Sequence, residues 1–193
     1  MATEKRINKL KDAISNKQPD LSIVFDNIHD PHNVSAILRS CEAAGVIDTY
    51  LMYNYNEFPT LGDKSSASSK KWVNTHNFDD PKALFKALKD QEYTIYSTFI
   101  DNSSISIYDI DFKKPSAIIL GNEHQGVSGF SRKYADKNIF IPMFGLIESL
   151  NVSVAAAIIL YEALRQRLDN KQYPNETLSD KWKDHLLKKW IQK

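Results

Sequence analysis

The sequence has 193 residues, of which 42% are hydrophobic, so it can bury a substantial core and suits a single domain. Its 25 Lys and Arg nearly balance its 24 Asp and Glu, so a nucleic-acid partner would be recognised by local basic clusters, not by overall charge. The single Cys41 excludes an internal disulfide, and no apolar run approaches the roughly 20 residues that cross a bilayer. We therefore expect one cytoplasmic domain over residues 1–193, with no membrane contact.

The two ends of the chain carry patterns that are typical of basic amphipathic helices. Near the start, Ile7, Leu10 and Ile14 recur at helical spacing, and lysines and arginines occupy the remaining surface. Near the end, tryptophans and leucines recur in the same way among lysines. We predict an N-terminal helix at about residues 1–18 and a C-terminal helical extension at about residues 171–193, both as additions for RNA binding or packing.

Between these ends, short strands alternate with helices. The strands are predicted over residues 21–25, 50–53, 93–99, 117–120 and 139–143, and the helices over residues 34–44, 80–89, 128–135 and 151–168. Several strands are continuous apolar runs, which is typical of a parallel sheet covered by helices on both faces. The sequence therefore predicts an α/β fold with a mostly parallel sheet. A serine-rich stretch at residues 64–72 is predicted to be a flexible surface loop.

The first of these inner helices has two distinct stripes. Asn33 looks like its N-cap, and a glycine at position 45 closes it. Beside the apolar stripe lies a second stripe of small residues, formed by Ala36, Ser40 and Ala43. Arg39 lies next to the small residues, and taken alone it is most simply a solvated surface arginine.

A glycine-rich turn follows the strand at residues 117–120. Residues 121–128 have the glycine spacing of a phosphate loop, but Val127 occupies the position where that motif requires lysine. No G-x-G-x-x-G follows a strand, so the dinucleotide fingerprint is also missing. What remains is a turn with exposed backbone groups and one carboxylate, Glu123, which suits a neutral or cationic ligand. An ordinary turn between a strand and a helix is the alternative.

Two common chemistries find little support, while one loop stands out. His29 and His32 are separated by Pro31 and lack a third plausible ligand nearby, so we predict no metal site. Ser149 is not part of a G-x-S-x-G elbow, which leaves serine hydrolysis unsupported. Residues 141–157, in contrast, run from an apolar strand through a glycine loop and a Ser-Leu-Asn step into an alanine-rich helix. This arrangement is typical of a site built from a loop.

Three segments together resemble the motifs of one family. They are residues 27–41 (NIHDPHNVSAILRSC), residues 119–128 (ILGNEHQGVS) and residues 141–157 (IPMFGLIESLNVSVAAA). On these motifs, and over nearly its whole length, the chain resembles the SpoU branch of the SPOUT RNA methyltransferases. The resemblance implies an α/β fold whose C-terminal part forms a deep trefoil knot, S-adenosylmethionine bound in that knot, and a homodimer.

The resemblance also implies an activity. It implies 2'-O-methylation of ribose in tRNA with S-adenosylmethionine as the methyl donor, and it is closest to members that act on guanosine 18 in the D-loop. Related members act on ribosomal RNA or on the tRNA wobble nucleotide, and a non-catalytic RNA-binding module is a third alternative. The short helical extensions at both ends favour the guanosine-18 members. The transfer needs a positioned hydroxyl and no metal, because the leaving group is neutral.

Roles for single residues follow from the same resemblance. The implied catalytic set is Arg39, Asn33, Glu123, Ser149 and Asn151. Arg39 of one subunit would reach the partner's site, bind a phosphate and stabilise negative charge on the 2'-oxygen, while Asn151 also looks like the N-cap of its helix. The implied cofactor contacts are Thr98, Leu120, Gly121, Ile141, Met143 and Leu150. The candidate cations for RNA phosphates are Arg6, Lys17, Lys89, Arg165 and Arg167.

Overall fold

The computed structural model describes residues 2–60, 71–169 and 178–193. Its strands are β1 (Leu21–Asp26), β2 (Asp48–Met52), β3 (Asn74–Phe78), β4 (Thr94–Ser97), β5 (Ile105–Ser106), β6 (Ser116–Gly121) and β7 (Lys137–Phe140). They form one sheet in the order β3-β2-β1-β6-β4-β7-β5, and all neighbouring strands are parallel. The prediction of a mostly parallel sheet is confirmed. Most of the predicted serine-rich loop, residues 64–70, lies outside the described residues.

Helices connect these strands. They are α1 (Glu4–Ser15), α2 (Pro31–Ala43), α3 (Pro81–Asp90), α4 (Gly129–Tyr134), α5 (Val152–Asp169) and α6 (Asp180–Ile191). A short 3₁₀ helix, Ile107–Asp109, follows β5. The strands predicted from the sequence did not include β5, which has two residues, or β3, whose polar residues show no apolar alternation. Residues 170–177, which include part of the predicted C-terminal extension, lie outside the described residues.

The predicted start of α2 is corrected by the structure. The N-cap is Asp30, whose side-chain Oδ1 accepts a hydrogen bond from the backbone N–H of His32 at 2.8 Å. Pro31 takes the first helical position, where its fixed φ favours the helix and its missing N–H costs nothing. Asn33 therefore lies inside the first turn and is not the N-cap. Its side chain is left available for other contacts.

Helices cover both faces of the sheet, as predicted. On one face, α2 and α5 pack against side chains such as Ile23, Phe25 and Ile118. On the other face, α3 contributes Leu84, Phe85 and Leu88 to a core that includes strand residues such as Val24 and Ile119. Successive strand residues point to opposite faces, so each buried strand supplies side chains to both cores. The α2 and α5 pair is important for the site, because both helices begin at the same edge of the sheet.

The two terminal helices pack against each other. Leu10 and Ile14 of α1 are buried with Leu186 and Trp190 of α6, and Ile47, just before β2, completes this third cluster. The cluster lies beside the amino ends of the strands. Packing is therefore a role that the structure provides for both terminal additions. In the described part of the chain, no helix has both the length and the apolar character needed to span a membrane.

Candidate active site

The residues of the second and third sequence motifs meet at the carboxyl ends of the strands. The turn after β6, the segment between β1 and α2, and the loop between β7 and α5 all lie at this edge. In an open parallel sheet, the carboxyl ends of the strands are where ligands bind. The edge therefore brings together segments that are about a hundred residues apart in sequence.

Glu123 joins the turn after β6 to the start of α2. Its Oε2 accepts a hydrogen bond from the backbone N–H of His29 at 3.0 Å, and its Oε1 accepts one from the N–H of Asp30 at 3.1 Å. Oε1 also accepts a hydrogen bond from Nδ2 of Asn33 at 2.9 Å. Partial burial would raise the pKa of Glu123, but the hydrogen bonds from Asn33, His29 and Asp30 outweigh it and lower the pKa below its ordinary value. The carboxylate is thus ionised at neutral pH.

Asn33 extends this network to the last motif. Its Oδ1 accepts a hydrogen bond from Nδ2 of Asn151 at 3.0 Å. The Oδ1 of Asn151 in turn accepts hydrogen bonds from the backbone N–H of Ser153 at 2.8 Å and from its hydroxyl at 2.6 Å. Asn151 therefore caps α5, as predicted. One continuous chain of side-chain hydrogen bonds runs from Glu123 through Asn33 to Asn151.

Two glycines shape the turn after β6. A Cβ placed on Gly121 would lie 2.2 Å from the backbone carbon of Gly126, so no side chain fits there. Gly126 has φ of 68°, a left-handed conformation that favours glycine. The turn is closed by two backbone hydrogen bonds between Asn122 and Gly126, and by the Asn122 side chain, which accepts from two backbone N–H groups. This is why the motif contains glycine at both of these positions.

A buried pair of residues at the end of β1, Asp26 and Asn27, supports the same turn, and sequence reasoning missed it. Asp26 accepts a hydrogen bond from the backbone N–H of Ser128 at 2.8 Å, and the carbonyl of Asn27 accepts one from Nδ2 of Asn122 at 2.8 Å. Both residues are fully buried. A signal was present in the sequence, because two polar residues directly after an apolar strand commonly mark a site.

These segments enclose a cavity of about 450 Å³. All six predicted cofactor contacts line it, together with the predicted catalytic residues Glu123, Ser149 and Asn151. Its deep wall is apolar and includes Ile139 and Ile159, which are both almost completely buried. A cavity of this size, with apolar walls and a few polar groups, is typical of a site for a small molecule or cofactor.

Arg39 is the one predicted catalytic residue that the structure does not bring to this site. It lies on the outer, exposed surface of α2, away from the lining of the cavity. Among the described residues its guanidinium has no hydrogen-bonding or ionic partner. The neighbouring Ala36 and Ala43 are also exposed. A single chain therefore presents the cavity and the arginine on separate surfaces.

Comparison with known proteins identifies the family. A model described as the SpoU rRNA Methylase family matches residues 20–161, which is most of the chain and includes all three motifs. The chain belongs to the SpoU methylase family. The resemblance seen in the motifs is thereby confirmed.

Two curated relatives and one solved structure match over nearly the full length. The chain is 38% identical to the tRNA (guanosine(18)-2'-O)-methyltransferase of Thermus thermophilus, with 99% of this chain and 98% of the relative covered. It is 37% identical to the Aquifex aeolicus enzyme of the same name, over 98% and 90% of the two chains. The crystal structure of the A. aeolicus TrmH/SpoU tRNA modifying enzyme superposes with a TM-score of 0.90 at 38% identity, over 98% and 96% of the two chains.

A further SpoU structure bears on the cofactor. AviRb from Streptomyces viridochromogenes, in complex with the cofactor AdoMet, matches with a TM-score of 0.71 at 26% identity, over 86% of this chain and 65% of AviRb. The predicted cofactor of the SpoU family is therefore seen in a structure of the same fold. No cluster of His, Cys, Asp or Glu that could hold a metal ion lies within the residues that the structure describes.

Two of the cations predicted to contact RNA are buried in this SpoU protein. The Lys17 side chain is buried, with its ammonium 5.5 Å from the centre of the Trp190 ring, and burial lowers its pKa. Arg167 is 3% exposed, and its guanidinium bonds to Asp20 at 2.6 Å and to the carbonyl of Phe112 at 2.9 Å. In this arrangement neither cation is exposed to a phosphate.

The other three predicted cations lie on the surface. Arg6 is exposed on α1. Lys89 pairs with Asp136, and Arg165 bonds to Glu162 at 2.9 Å and to Asp169 at 2.8 Å. A phosphate would have to compete with these carboxylates for Lys89 and Arg165, whereas Arg6 is open to solvent.

Proposed function

We propose that this protein transfers the methyl group of S-adenosylmethionine to the 2'-hydroxyl of guanosine 18 in tRNA, in the cytoplasm. The observation that carries this proposal is the hydrogen-bonded chain of Glu123, Asn33 and Asn151 at the edge of the cavity. It joins all three motifs of the SpoU family at one point. The guanosine-18 enzymes of T. thermophilus and A. aeolicus, which match over nearly their full length, support the choice of nucleotide.

The cavity fits the cofactor by its chemistry. Leu120, Ile139 and Ile159 offer apolar surface to the adenine, and the carboxylates of Glu123 and Glu148 suit a ligand that carries a positive sulfonium. Its volume of about 450 Å³ lies within the usual range for small-molecule sites. The bound cofactor supplies an electrophilic methyl group and a neutral leaving group. We expect the cofactor to bind in the deep trefoil knot that the family resemblance implies.

The side chains at the cavity orient the acceptor hydroxyl. Ser149 is exposed and lines the cavity beside Asn151, so both can hold the ribose hydroxyl by hydrogen bonds. Glu123 is a poor proton acceptor, because its lowered pKa and its three hydrogen bonds favour the ionised, occupied carboxylate. We assign Glu123 to positioning: it fixes the start of α2 and, through Asn33, the residue Asn151 that faces the cavity.

Arg39 completes the site from a second subunit. The guanidinium is a permanent cation with five donors, so it binds the phosphate next to the acceptor and stabilises negative charge that develops on the 2'-oxygen. Because Arg39 is on a different surface from the cavity of its own chain, it acts on the cavity of a partner. The protein is therefore proposed to be a homodimer.

The helix that packs against α2, and the loop before it, expose apolar residues as an interface does. Exposed apolar residues continue from α2 onto α5, where Val154, Tyr161 and Leu168 are each about half exposed. In the loop before α5, Phe144 and Leu146 are almost completely exposed. Apolar area of this extent is unfavourable in water and is typical of a surface that is covered in an assembly.

One experiment tests the proposed activity. Purified protein is incubated with S-adenosylmethionine labelled in the methyl group, with unmodified tRNA and separately with ribosomal RNA, and the labelled nucleotide is mapped. We expect label in tRNA at guanosine 18. Label at the wobble nucleotide or in ribosomal RNA would keep the chemistry and reject the substrate. No label in any RNA would reject the enzyme and favour an RNA-binding module.

A further inference from the structure

Asn27 has an unusual conformation at the end of β1. Its φ is 54°, in the left-handed region that few residues other than glycine adopt, and its side chain is fully buried. Asparagine tolerates this conformation better than most residues, but a buried position still requires that every polar atom find a partner. The contacts of Asn27 show what this conformation holds in place.

The side chain of Asn27 anchors the loop after β2, residues 53–58, which we call the Tyr55 loop. Its Oδ1 accepts hydrogen bonds from three consecutive backbone N–H groups, those of Asn54, Tyr55 and Asn56, at 3.2, 3.3 and 3.2 Å. Its Nδ2 donates to the side chain of Asn54 at 3.0 Å. One buried amide therefore fixes the backbone of the loop at three successive positions.

A second anchor lies at the start of the same loop. The hydroxyl of Tyr53 donates a hydrogen bond to the carbonyl of Ile28 at 2.8 Å. The ring of Phe58 packs edge-on against the ring of Tyr53, with centroids 5.2 Å apart. The Tyr55 loop is therefore held at both ends, although it lies on the surface.

The segment that anchors the Tyr55 loop is also part of the active site. The carbonyl of Asn27 accepts the hydrogen bond from Asn122 in the glycine turn, at 2.8 Å. Two residues after Asn27, the backbone N–H of His29 donates to Glu123 at 3.0 Å. The Tyr55 loop and the carboxylate of Glu123 are thus both hydrogen-bonded to one short segment, residues 27–29.

The exposed groups at this edge suit an unpaired nucleotide. Tyr55 is 47% exposed on an anchored backbone, and the histidines beside Glu123 and in its partner segment, His29, His32 and His124, are exposed too. Burial raises the pKa of the Tyr55 hydroxyl, and the charge of Asp26 raises it further, so the ring stays neutral near a phosphate. Flat neutral rings held in place are surfaces on which single-stranded bases stack.

We propose that the Tyr55 loop is a binding site for an unpaired nucleotide of the substrate RNA, with the Tyr55 ring stacked on its base. The nucleotide is a neighbour of the one whose ribose is methylated, because the loop and Glu123 share the segment 27–29. Asn27 is the positioning residue for this site. The inference rests on the proposed function for the identity of the RNA, and its continuity with the active site favours RNA over a protein partner.

The first test replaces the ring. Tyr55→Ala is compared with Tyr55→Phe and with Tyr108→Ala, a matched control that removes a somewhat more exposed tyrosine from the 3₁₀ helix after β5. Binding of unmethylated tRNA is measured by fluorescence anisotropy, and binding of S-adenosylmethionine by calorimetry. We expect Tyr55→Ala to weaken tRNA binding about 5- to 100-fold, as loss of one stacked base does. Cofactor affinity should stay within about twofold, and both control variants should bind tRNA like wild type.

The second test separates the Asn27 side chain from its backbone conformation. Asn27→Gly keeps the left-handed φ at no steric cost but removes the acceptor for the three N–H groups. We expect weaker tRNA binding and a raised KM for tRNA, with cofactor affinity retained because the carbonyl of residue 27 remains for Asn122. Both variants should lower the Tm because the buried hydrogen bonds are lost, and Asn27→Ala should lower it further because it adds backbone strain.

The outcomes decide between this inference and others. Wild-type tRNA affinity in Tyr55→Ala would overturn the stacking site, and equal losses of tRNA and cofactor affinity would make Tyr55 a structural residue. The binding assay does not depend on catalysis. An inactive wild-type protein would therefore reject the proposed function, while the tRNA affinities of wild type and Tyr55→Ala would still test the Tyr55 loop. Weak binding of every RNA by the wild type would overturn both.

Discussion

The two edges of the parallel sheet, at the amino ends and at the carboxyl ends of its strands, place charged residues in opposite environments. At the amino ends of the strands, Lys17 and Arg167 are buried, and the Arg167 guanidinium bonds to Asp20, Gln18 and backbone carbonyls. At the carboxyl ends, Glu123 accepts a hydrogen bond from Asn33 and lines a cavity. On α2, which begins at that edge, Arg39 is exposed and has no partner among the described residues. One edge is complete within a single chain, and the other has polar groups arranged for something outside it.

The difference teaches how to distinguish structural cations from functional ones. Removing a buried cation that has several hydrogen-bond partners, such as Arg167, leaves those partners unsatisfied and lowers stability. An exposed cation without partners contributes little to stability and remains available to a ligand or a partner chain. Substitutions at the two edges should therefore affect different measurements: activity at the carboxyl edge, and unfolding free energy at the amino edge.

The largest effect is expected for Arg39→Ala. We expect the rate of tRNA methylation to fall by roughly 10²- to 10³-fold, because one preorganised donor to developing negative charge is lost. The Tm and the cofactor affinity should be unchanged, since Arg39 makes no hydrogen bond or ion pair with the described part of its own chain. Single-turnover kinetics and thermal unfolding provide the two measurements.

Arg39→Lys is the control for this comparison. It keeps the charge but loses the planar fork of donors, so its rate should lie between those of wild type and Arg39→Ala. Analytical ultracentrifugation shows whether the dimer remains. Near-normal methylation by Arg39→Ala with the dimer intact would reject the role of Arg39. If Arg39→Ala dissociated to monomers and still methylated tRNA at the normal rate, an active site built from two subunits would be rejected as well.

The second prediction concerns the opposite edge. Arg167→Ala should lower the free energy of unfolding by about 3 kcal/mol, because it leaves Asp20, Gln18 and the carbonyl of Phe112 without their donor. Urea denaturation of the purified variant measures the change. Methylation per folded molecule should stay near wild type. A loss of tRNA affinity with normal stability would restore Arg167 to the RNA-binding set and contradict this assignment.

The third prediction uses the pH dependence of stability at the active edge. The pKa of Glu123 is lower in the folded protein than in the unfolded chain, so its ionised form stabilises the fold at neutral pH. That contribution is present above the unfolded pKa, about 4.3, and is lost as the pH falls through the lower folded pKa. Glu123→Gln should therefore be less stable than wild type at pH 7. The difference in the free energy of unfolding between the two proteins should become smaller below about pH 4. Urea midpoints at both pH values measure it, and a gap that does not change with pH would contradict the mechanism.

The sequence was sufficient for the repeating parts of the fold and for most of the site. Continuous apolar runs predicted the parallel sheet, and the resemblance of the three motifs to the SpoU family implied most of the residues that line the cavity. It was insufficient where a role depends on distant partners. The order of residues does not show that Arg167 meets Asp20, or that Asn27 meets the backbone of the Tyr55 loop. The two-residue β5 and the polar β3 were missed because neither has an apolar period.

Lys17→Met has the smallest expected effect, and it tests most directly whether the buried Lys17 contacts RNA. Burial lowers the pKa of Lys17 in the fold, so its charged form is less favourable there than in the unfolded chain. That cost is present at pH 7 and disappears as the pH rises through the unfolded pKa, about 10.4. Methionine keeps an apolar stem against Trp190 and loses the cation–π contact, worth about 1 kcal/mol. We therefore expect the free energy of unfolding of Lys17→Met at pH 7 to be within about 1 kcal/mol of the wild-type value, or higher than it.

The matched control for Lys17→Met is Arg6→Ala, which removes an exposed cation from the neighbouring helix α1. Arg6→Ala should weaken tRNA binding and reduce its dependence on salt concentration by about one ion. Lys17→Met should leave both the affinity and the salt dependence at their wild-type values, because its ammonium is covered by Trp190. A lower salt dependence in Lys17→Met would mean that α6 moves away from Lys17 when RNA binds. In that case the amino edge of the sheet would also contact the substrate, and the contrast between the two edges would hold only for the free protein.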